Sequence, residues 1–467
     1  MDDQLTWRPA WELRYLIAKL EVSPVEVVDH FLGRIEEHQA GLHAFVHVDH
    51  EGARAQAQRA EQAVLGGQDI GPLHGVPVSV KSHVHVAGFP FMGRQGAPPA
   101  RHDHLAVERL RAAGAVIVGH NSMMGSGAGA PRPTGTPGVF SSFNWDVEAR
   151  NPWDPARVPG WSSSGGAASV AAGLVPLAVG TDGGGSTRLP AAYSGVVGVH
   201  PTVGLVPWVD YSRSAPPVTT TAGPLARHPL DAATALAAMA GPDGRDFVGI
   251  TMERTDLLAD IDAGVEGLRC AWTDDFGFTA HYAVPESDAA IATARSAAFA
   301  LAGLGAEVEA VDETWEDFWP SLSVTHAVYG PISILGPQGD AAPAPEAWEA
   351  ALDLRARNWH RFRHVLGTRD VLLSVTSQIV APPIETWDQW WTSGGDFPFG
   401  TFAPAYCSHT WMFNWLGFPA ASVPCGFVDG LPVGLQIVGL PGNDATVLRV
   451  ANAFCKAFPR HERPPLS

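Results

Sequence analysis

Apolar residues along the chain follow two different periods, which predict helices and strands in alternation. Ser23-Pro24-Val25-Glu26 forms a capping box with proline at the first helical position, and apolar residues follow it at helical spacing. Residues 50–65 predict a second, more polar helix that ends at the glycine pair 66–67. The N-terminal part of the chain is therefore predicted to be helical, with one strongly amphipathic helix.

Short apolar runs between helical segments predict buried strands. The predicted strands are residues 75–81, 114–119 and 306–311, and the predicted helices beside them are residues 103–113 and 288–304. This alternation predicts an α/β fold with a central mixed sheet flanked by helices. Because no change of composition divides residues 1–467, we expect a single large domain.

Composition excludes several classes of protein. Of the 467 residues, 46% are hydrophobic and only 17% are charged, which excludes a disordered chain. The net charge of -18, without any basic run, argues against a nucleic-acid partner, since phosphate contacts need clustered cations. The four cysteines lack CxxC spacing, so the sequence indicates neither a disulfide framework nor a zinc knuckle.

One segment is apolar enough to need a separate judgement on membrane insertion. Residues 397–428 contain no Asp, Glu, Lys or Arg, but they include four prolines, which a continuous apolar helix would not tolerate. The N-terminus lacks both the basic and the apolar region of a signal peptide. We therefore expect buried core with loops at this segment and a soluble, cytoplasmic protein without membrane contact.

Tryptophan is concentrated in residues 310–420, where regular patterns are weak. The tryptophans of this region are Trp315, Trp319, Trp348, Trp359, Trp387, Trp390, Trp391, Trp411 and Trp415. Any one of them is best read as core. Together, so many aromatic side chains also suit a pocket wall for an apolar ligand. We expect this region to be variable and to carry the substrate pocket.

The chemistry is concentrated in a stretch rich in small residues. Residues 158–188 read VPGWSSSGGAASVAAGLVPLAVGTDGGGSTR and hold a run of three serines, 162–164, and a further serine, Ser186, behind three glycines. Such a serine can sit beside several free N–H groups, as an oxyanion hole requires. Neither serine lies in a G-x-S-x-G elbow, which argues against an α/β-hydrolase.

Several segments together resemble the amidase signature family. They are PLHGVPVSVKS (72–82), PGWSSSGGAASVAAG (159–173), VGTDGGGSTRLPAAYSGVVGVHPTVG (179–204) and GFPAASVPCGFVDGLPVGLQIVG (417–439). In that family two catalytic serines lie 24 residues apart, which is the spacing of Ser162 and Ser186. The resemblance implies the amidase signature fold, with a signature core at about residues 70–210, and weakens between about 240 and 400.

The resemblance also implies a role for each site residue. Ser186 would be the nucleophile, Ser162, following a cis peptide bond, would relay its proton, and Lys81 would be the general base. A base must be neutral, and desolvation of an amine among apolar groups lowers its pKa. The backbone N–H groups of Gly183, Gly184, Gly185 and Ser186 would hold the oxyanion, with Ser163, Asp182 and Arg188 as supporting residues. The resemblance implies no cofactor or metal.

Some positions depart from the family pattern. Ser82 stands where the family usually has Asp after the lysine, and Trp161 stands where it has the second glycine before the serine pair. Ser164 and Gly166 replace the usual Gly and Ser. These departures leave Ser163 as an alternative relay residue.

The expected function is hydrolysis of the C–N bond of an apolar or aryl amide through an acyl-enzyme, with carbamates (a urethanase activity) and esters as further substrates. One alternative is a metal-dependent amidohydrolase, because His83 and His85 form an HxH pair just after a predicted strand. Another is the amidase-like component of a tRNA-dependent amidotransferase, which shares the signature. We expect a small-molecule substrate and a monomer or homodimer.

Overall fold

The fold was analysed in a computed structural model of the chain. The structure describes residues 4–90, 98–123, 149–209, 219–246, 248–249, 256–318, 344–386 and 403–466. The helices are α1 (Ala10–Ala18), α2 (Pro24–Leu42), α3 (His50–Leu65), α4 (Leu105–Ala112), α5 (Ser164–Ala171), α6 (Arg188–Ser194), α7 (Pro229–Met239), α8 (Ser287–Ala300), α9 (Pro345–Leu366), α10 (Ala403–Leu416) and α11 (Asp444–Ala457).

The strands of the described residues form one 11-stranded sheet in the order β1-β3-β2-β4-β6-β5-β10-β11-β9-β7-β8. They are β1 (Phe45–Val48), β2 (Pro77–Lys81), β3 (Val116–Asn121), β4 (Leu177–Asp182), β5 (Val197–His200), β6 (Thr221–Ala226), β7 (Arg269–Trp272), β8 (Glu307–Ala310), β9 (Val371–Val375), β10 (Ala420–Val428) and β11 (Leu431–Val438). β2 is parallel to both of its neighbours, β3 and β4. β4 pairs with β6 in the antiparallel direction, and so does β10 with β11. The predicted α/β fold with a mixed sheet in one large domain is confirmed.

Local sequence signals explain several of these boundaries. At the start of α2, the Ser23 hydroxyl accepts from the Glu26 N–H, and the Glu26 carboxylate accepts from the Ser23 N–H at 2.8 Å, as the capping box predicts. The predicted helix at 50–65 is α3, the predicted run at 75–81 contains β2, and the predicted run at 114–119 overlaps β3, which continues to Asn121. Every residue of β2 is buried, as is typical of a parallel strand inside an α/β sheet, and α2 and α5 both pack on it.

The charge-free segment is partly regular rather than loop. Where it is described, it forms α10 and then β10, which are largely buried and joined by a short loop at residues 417–419, so the segment is buried core with a loop, but most of it is helix or strand. Pro404 lies in the first turn of α10, where a proline removes no helical hydrogen bond. Among the helices that the structure describes, none combines the length and apolar character needed to cross a bilayer.

The parallel pairing of β2 with β4 places the chemically interesting residues at one edge of the sheet. Val80 pairs with Val179, so the carboxyl ends of both strands lie side by side. Lys81 ends β2 and Asp182 ends β4. Ligand sites of open α/β sheets are commonly found beyond such strand ends. α5, which begins at the last serine of the run, packs on β2 and β4, and α6, which follows the three glycines, packs on α5.

Candidate active site

Lys81 lies in the interior, with only 1% of its surface exposed. Its Nζ lies 2.6 Å from Ser162 Oγ, 2.9 Å from Thr181 Oγ1 and 3.2 Å from the Thr181 carbonyl oxygen. Burial holds the pKa of Lys81 well below its usual value, and the charge of Asp182 opposes only part of that shift. The structure therefore brings together a lysine that is readily neutral and the first serine of the run.

The serine run places its second member differently. Ser163 Oγ donates to the Thr181 carbonyl at 3.2 Å and accepts from the Thr181 N–H at 3.3 Å, so it fastens α5 to β4. Ser162, not Ser163, is the serine hydrogen-bonded to Lys81. The expected cis bond before Ser162 is wrong for this structure: all peptide bonds of the described residues are trans, the usual form for a bond that does not precede proline.

The glycine loop (residues 183–186) follows β4 directly. Gly185 has φ of +115°, which favours glycine, and its N–H donates to Asp182 Oδ1 at 2.6 Å. The Gly185 N–H is therefore engaged by the Asp182 carboxylate, contrary to the prediction that all four N–H groups face an oxyanion. The N–H groups of Gly183, Gly184 and Ser186 engage no acceptor among the described residues.

Ser186 closes the glycine loop and is 5% exposed. Its carbonyl accepts a hydrogen bond from the Ser163 N–H at 3.2 Å, which ties the glycine loop to the serine run. The backbone of Ser186 thus lies next to Ser163, the neighbour of Ser162 in the chain, and the Ser186 hydroxyl has no hydrogen-bond partner among the described residues.

Asp182 and Arg188 form a fully buried ion pair that supports the glycine loop. Arg188 Nε lies 2.9 Å from Asp182 Oδ2, and both side chains have 0% exposure. The same carboxylate also accepts from the N–H of Thr187 at 3.2 Å. Burial alone would raise the pKa of Asp182, but Arg188 and the hydrogen bonds together bring it below its usual value.

Three polar residues from the C-terminal part of the chain complete this support, and sequence reasoning missed them. Arg188 donates to the Thr410 carbonyl at 3.0 Å and to Gln436 Oε1 at 2.9 Å. Asn414 Nδ2 donates to both the carbonyl and the carboxylate of Asp182, each at 2.9 Å. Only the fold reveals them, because Asn414 stands 232 positions from Asp182.

Replacing Arg188 with methionine is expected to lower the free energy of unfolding by about 3–5 kcal/mol, because it leaves the Asp182 carboxylate buried without its cation. The pKa of Asp182 would then rise above that of the unfolded chain, about 3.9. The loss should therefore shrink as the pH falls toward the value at which the carboxyl is protonated. Urea unfolding of both proteins at pH 8 and pH 5 measures this.

An exposed ion pair gives the matched control for this prediction. Arg54 lies 2.6 Å from Asp29, with about half of each side chain exposed. Arg54→Met should change the unfolding free energy by less than about 1 kcal/mol at both pH values. Equal losses in the two variants would contradict the buried role of Arg188.

Aromatic side chains from distant elements border the site. Trp161, which precedes Ser162, is buried and packs on Tyr406 with ring centroids 5.1 Å apart. A methyl group built on Gly184 would come within 3.0 Å of the Trp411 ring, so that ring lies against the glycine loop. Trp315 instead stacks on Phe362 in the core, at 4.5 Å. Trp319, Trp387, Trp390 and Trp391 lie outside the described residues.

The HxH pair does not form part of a ligand set. His83 Nε2 lies 3.2 Å from Thr181 Oγ1, and its Nδ1 lies 3.4 Å from Met123 Sδ. Nowhere in the described ranges do three His, Cys, Asp or Glu side chains converge as metal ligands would. The geometry thus gives His83 a place beside Thr181 and gives the metal-dependent alternative no support.

The mixed sheet, together with a buried lysine, a serine run and a glycine loop at one edge, defines an amidase of the amidase signature class. The chain belongs to this family: the Amidase family model matches residues 26–335 and 337–448.

The relatives include both amidotransferase subunits and acylamidases. A glutamyl-tRNA(Gln) amidotransferase subunit of Symbiobacterium thermophilum is 31% identical, over 98% of this chain and 98% of its own. An acylamidase of Rhodococcus erythropolis is 29% identical, over 99% of this chain and 98% of its own. The crystal structure of a bacterial aryl acylamidase of the amidase signature family superposes with a TM-score of 0.81 at 25% identity, covering 97% of each chain.

Proposed function

We propose that the protein is an amidohydrolase that cleaves the C–N bond of an apolar or aryl amide through an acyl-enzyme on Ser186. The observation that carries the proposal is the 2.6 Å contact between Lys81 Nζ, buried and low in pKa, and Ser162 Oγ beside the glycine loop. A neutral amine in that position can withdraw a proton through a serine hydroxyl, which is what activates a nucleophile.

Acylation follows from this arrangement. Ser186 Oγ attacks the carbonyl carbon while its proton passes to Ser162 Oγ, and the proton of Ser162 passes to Lys81 Nζ. The carbonyl oxygen becomes an oxyanion, for which the N–H groups of Gly183, Gly184 and Ser186 are the available donors. When the tetrahedral intermediate collapses, the C–N bond breaks, and the amine leaves with a proton returned from Lys81 through Ser162.

Deacylation repeats the sequence with water. Water attacks the ester formed on Ser186, and its proton moves through Ser162 to Lys81. Collapse of the second intermediate returns that proton to Ser186 Oγ and releases the acid. Apart from the substrate and water, every step uses side chains and backbone N–H groups of this chain, and we propose that residues 1–467 act as one amidase domain.

The proposed substrate class rests on the aromatic side chains beside the reacting groups. Trp161 adjoins the relay serine, Trp411 lies against the glycine loop, and Tyr406 packs on Trp161. Flat apolar surfaces of this kind favour an aryl or apolar group near the scissile bond. The similarity to an acylamidase and to an aryl acylamidase agrees with this class. Carbamates and esters present the same carbonyl to Ser186 and are proposed as further substrates.

A matched panel of substrates tests the function, with product release measured for each. The panel is an aryl primary amide, an acyl anilide, an aryl carbamate, an aryl ester and free glutamine. We expect turnover of the anilide or the aryl amide, unchanged after EDTA treatment. Activity that EDTA abolishes and added metal restores would instead favour the metal-dependent alternative.

A role as one component of an amidotransferase is the second candidate, because the 31% identity to such a protein spans nearly the whole chain. It predicts that the isolated protein hydrolyses none of the aryl substrates and that glutamine is hydrolysed only with partner proteins present. Turnover of an anilide by the purified chain alone would exclude this candidate.

A further inference from the structure

Thr181, the penultimate residue of β4, presents one hydroxyl to two nitrogen atoms. Its Oγ1 lies 2.9 Å from Lys81 Nζ and 3.2 Å from His83 Nε2. A hydroxyl has a single proton, so it can donate to only one of these nitrogens. The direction of that proton decides what Lys81 can offer to Ser162.

Met123 indicates where the proton of the His83 ring lies. Met123 Sδ is 3.4 Å from His83 Nδ1, and a thioether can accept a hydrogen bond but cannot donate one. We therefore assign the proton to Nδ1, which makes Nε2 of the neutral ring an acceptor. Trp208 fixes the ring further, because the two rings stack with centroids 6.3 Å apart. In this tautomer His83 takes the proton of the Thr181 hydroxyl.

The same counting applies to Lys81. A neutral amine has two N–H groups and one lone pair, and the Thr181 carbonyl, at 3.2 Å, can only accept. When the Thr181 hydroxyl donates to His83, it accepts the second N–H of Lys81, and the lone pair faces the Ser162 hydroxyl. If that hydroxyl instead turned toward Lys81, it would occupy the lone pair, and Nζ could only donate to Ser162.

We propose that His83 is a positioning residue that acts through the Thr181 hydroxyl to keep the lone pair of Lys81 directed at Ser162. This inference rests on the proposed function, in which that lone pair receives the proton. It assigns a role to a histidine that the sequence pattern suggested only as a metal ligand. It also gives Thr181 a task beyond its place in β4.

Two substitutions of His83 test the acceptor. Leucine offers no acceptor, so His83→Leu should lower kcat about 10- to 100-fold, part of what a well-placed general base contributes, with little change in KM. His83→Gln supplies an amide oxygen as acceptor and should restore most of the lost kcat. Thermal unfolding of both variants shows whether either loses the fold. Equal losses of kcat in the two would overturn the inference, because they would indicate packing rather than an acceptor.

A double-mutant cycle tests the route through Thr181. In Thr181→Val the hydroxyl is absent, so adding His83→Leu should slow the enzyme no further. An additive effect would overturn the inference, as would full activity of His83→Leu. If turnover requires Ser186 but is the same in His83→Leu, this inference fails and the proposed function remains intact. Turnover that survives Ser186→Ala would remove the function itself.

Discussion

Ser186→Ala is expected to lower turnover of the best panel substrate by about 10⁶-fold, the cost of removing the nucleophile of a serine hydrolase. No other described group can form the acyl bond from the glycine loop. The fold should persist, because among the described residues the Ser186 side chain has no hydrogen-bond partner, and the bond from the Ser163 N–H goes to the Ser186 carbonyl, which alanine keeps. Initial rates and far-ultraviolet circular dichroism on the same preparation measure both effects.

Ser164→Ala is the matched control for this substitution. Ser164 is also buried, and its Oγ has no hydrogen-bond partner among the described residues, so its removal should leave the rate close to that of the unaltered protein. A phosphonate that modifies activated serines should label Ser186 in the unaltered protein and in Ser164→Ala. Labelling at another serine, or a Ser186→Ala protein with substantial activity, would contradict the mechanism.

The elements that sequence reasoning found are those with local signals. The capping box predicted the start of α2, and apolar runs predicted β2 and β3, because each signal depends on residues that are neighbours in the chain. Lys81, Ser162 and Ser186 were singled out because their order and spacing match a family pattern. The structure adds that Lys81 and Ser162 are in contact.

The features that sequence reasoning missed depend on contacts between residues far apart in the chain, or on competition for hydrogen bonds within the glycine loop. Asn414 and Gln436 reach the Asp182–Arg188 pair from elements more than two hundred residues away, and no spacing rule connects them. Gly185 looked like an oxyanion donor because it precedes Ser186, but the Asp182 carboxylate competes for its N–H. Thr181 reads as an ordinary strand residue until β2 pairs with β4 and brings Lys81 beside it.

Lys81→Met is expected to lower kcat/KM by about 10²- to 10⁴-fold at neutral pH, because it removes the general base. Only the neutral amine accepts a proton, so the rate of the unaltered enzyme should rise with pH through the lowered pKa of Lys81 and then level off. The variant should lack this rise. The chain has only two other lysines, Lys19 and Lys456, and both are exposed, so no nearby ammonium group can take over. A pH–rate profile measures this, and an unchanged profile would contradict the role of Lys81 as base.

The same substitution is expected to stabilise the protein. Because the pKa of Lys81 is lower in the folded protein than the value of about 10.4 in the unfolded chain, the unfolded state binds more protons between those two values. The stability of the unaltered protein therefore falls as the pH drops below about 10.4. Lys81→Met has no titratable group at this position and does not lose stability in this way. Urea midpoints should be higher for Lys81→Met at pH 7, with a gain that shrinks toward pH 10.4, whereas Lys456→Met, at an exposed ion pair, should show no such trend. If Lys81 served only as a structural cation, its replacement with methionine would instead lower the stability. Slower turnover together with greater stability would therefore identify Lys81 as a base whose burial destabilises the fold.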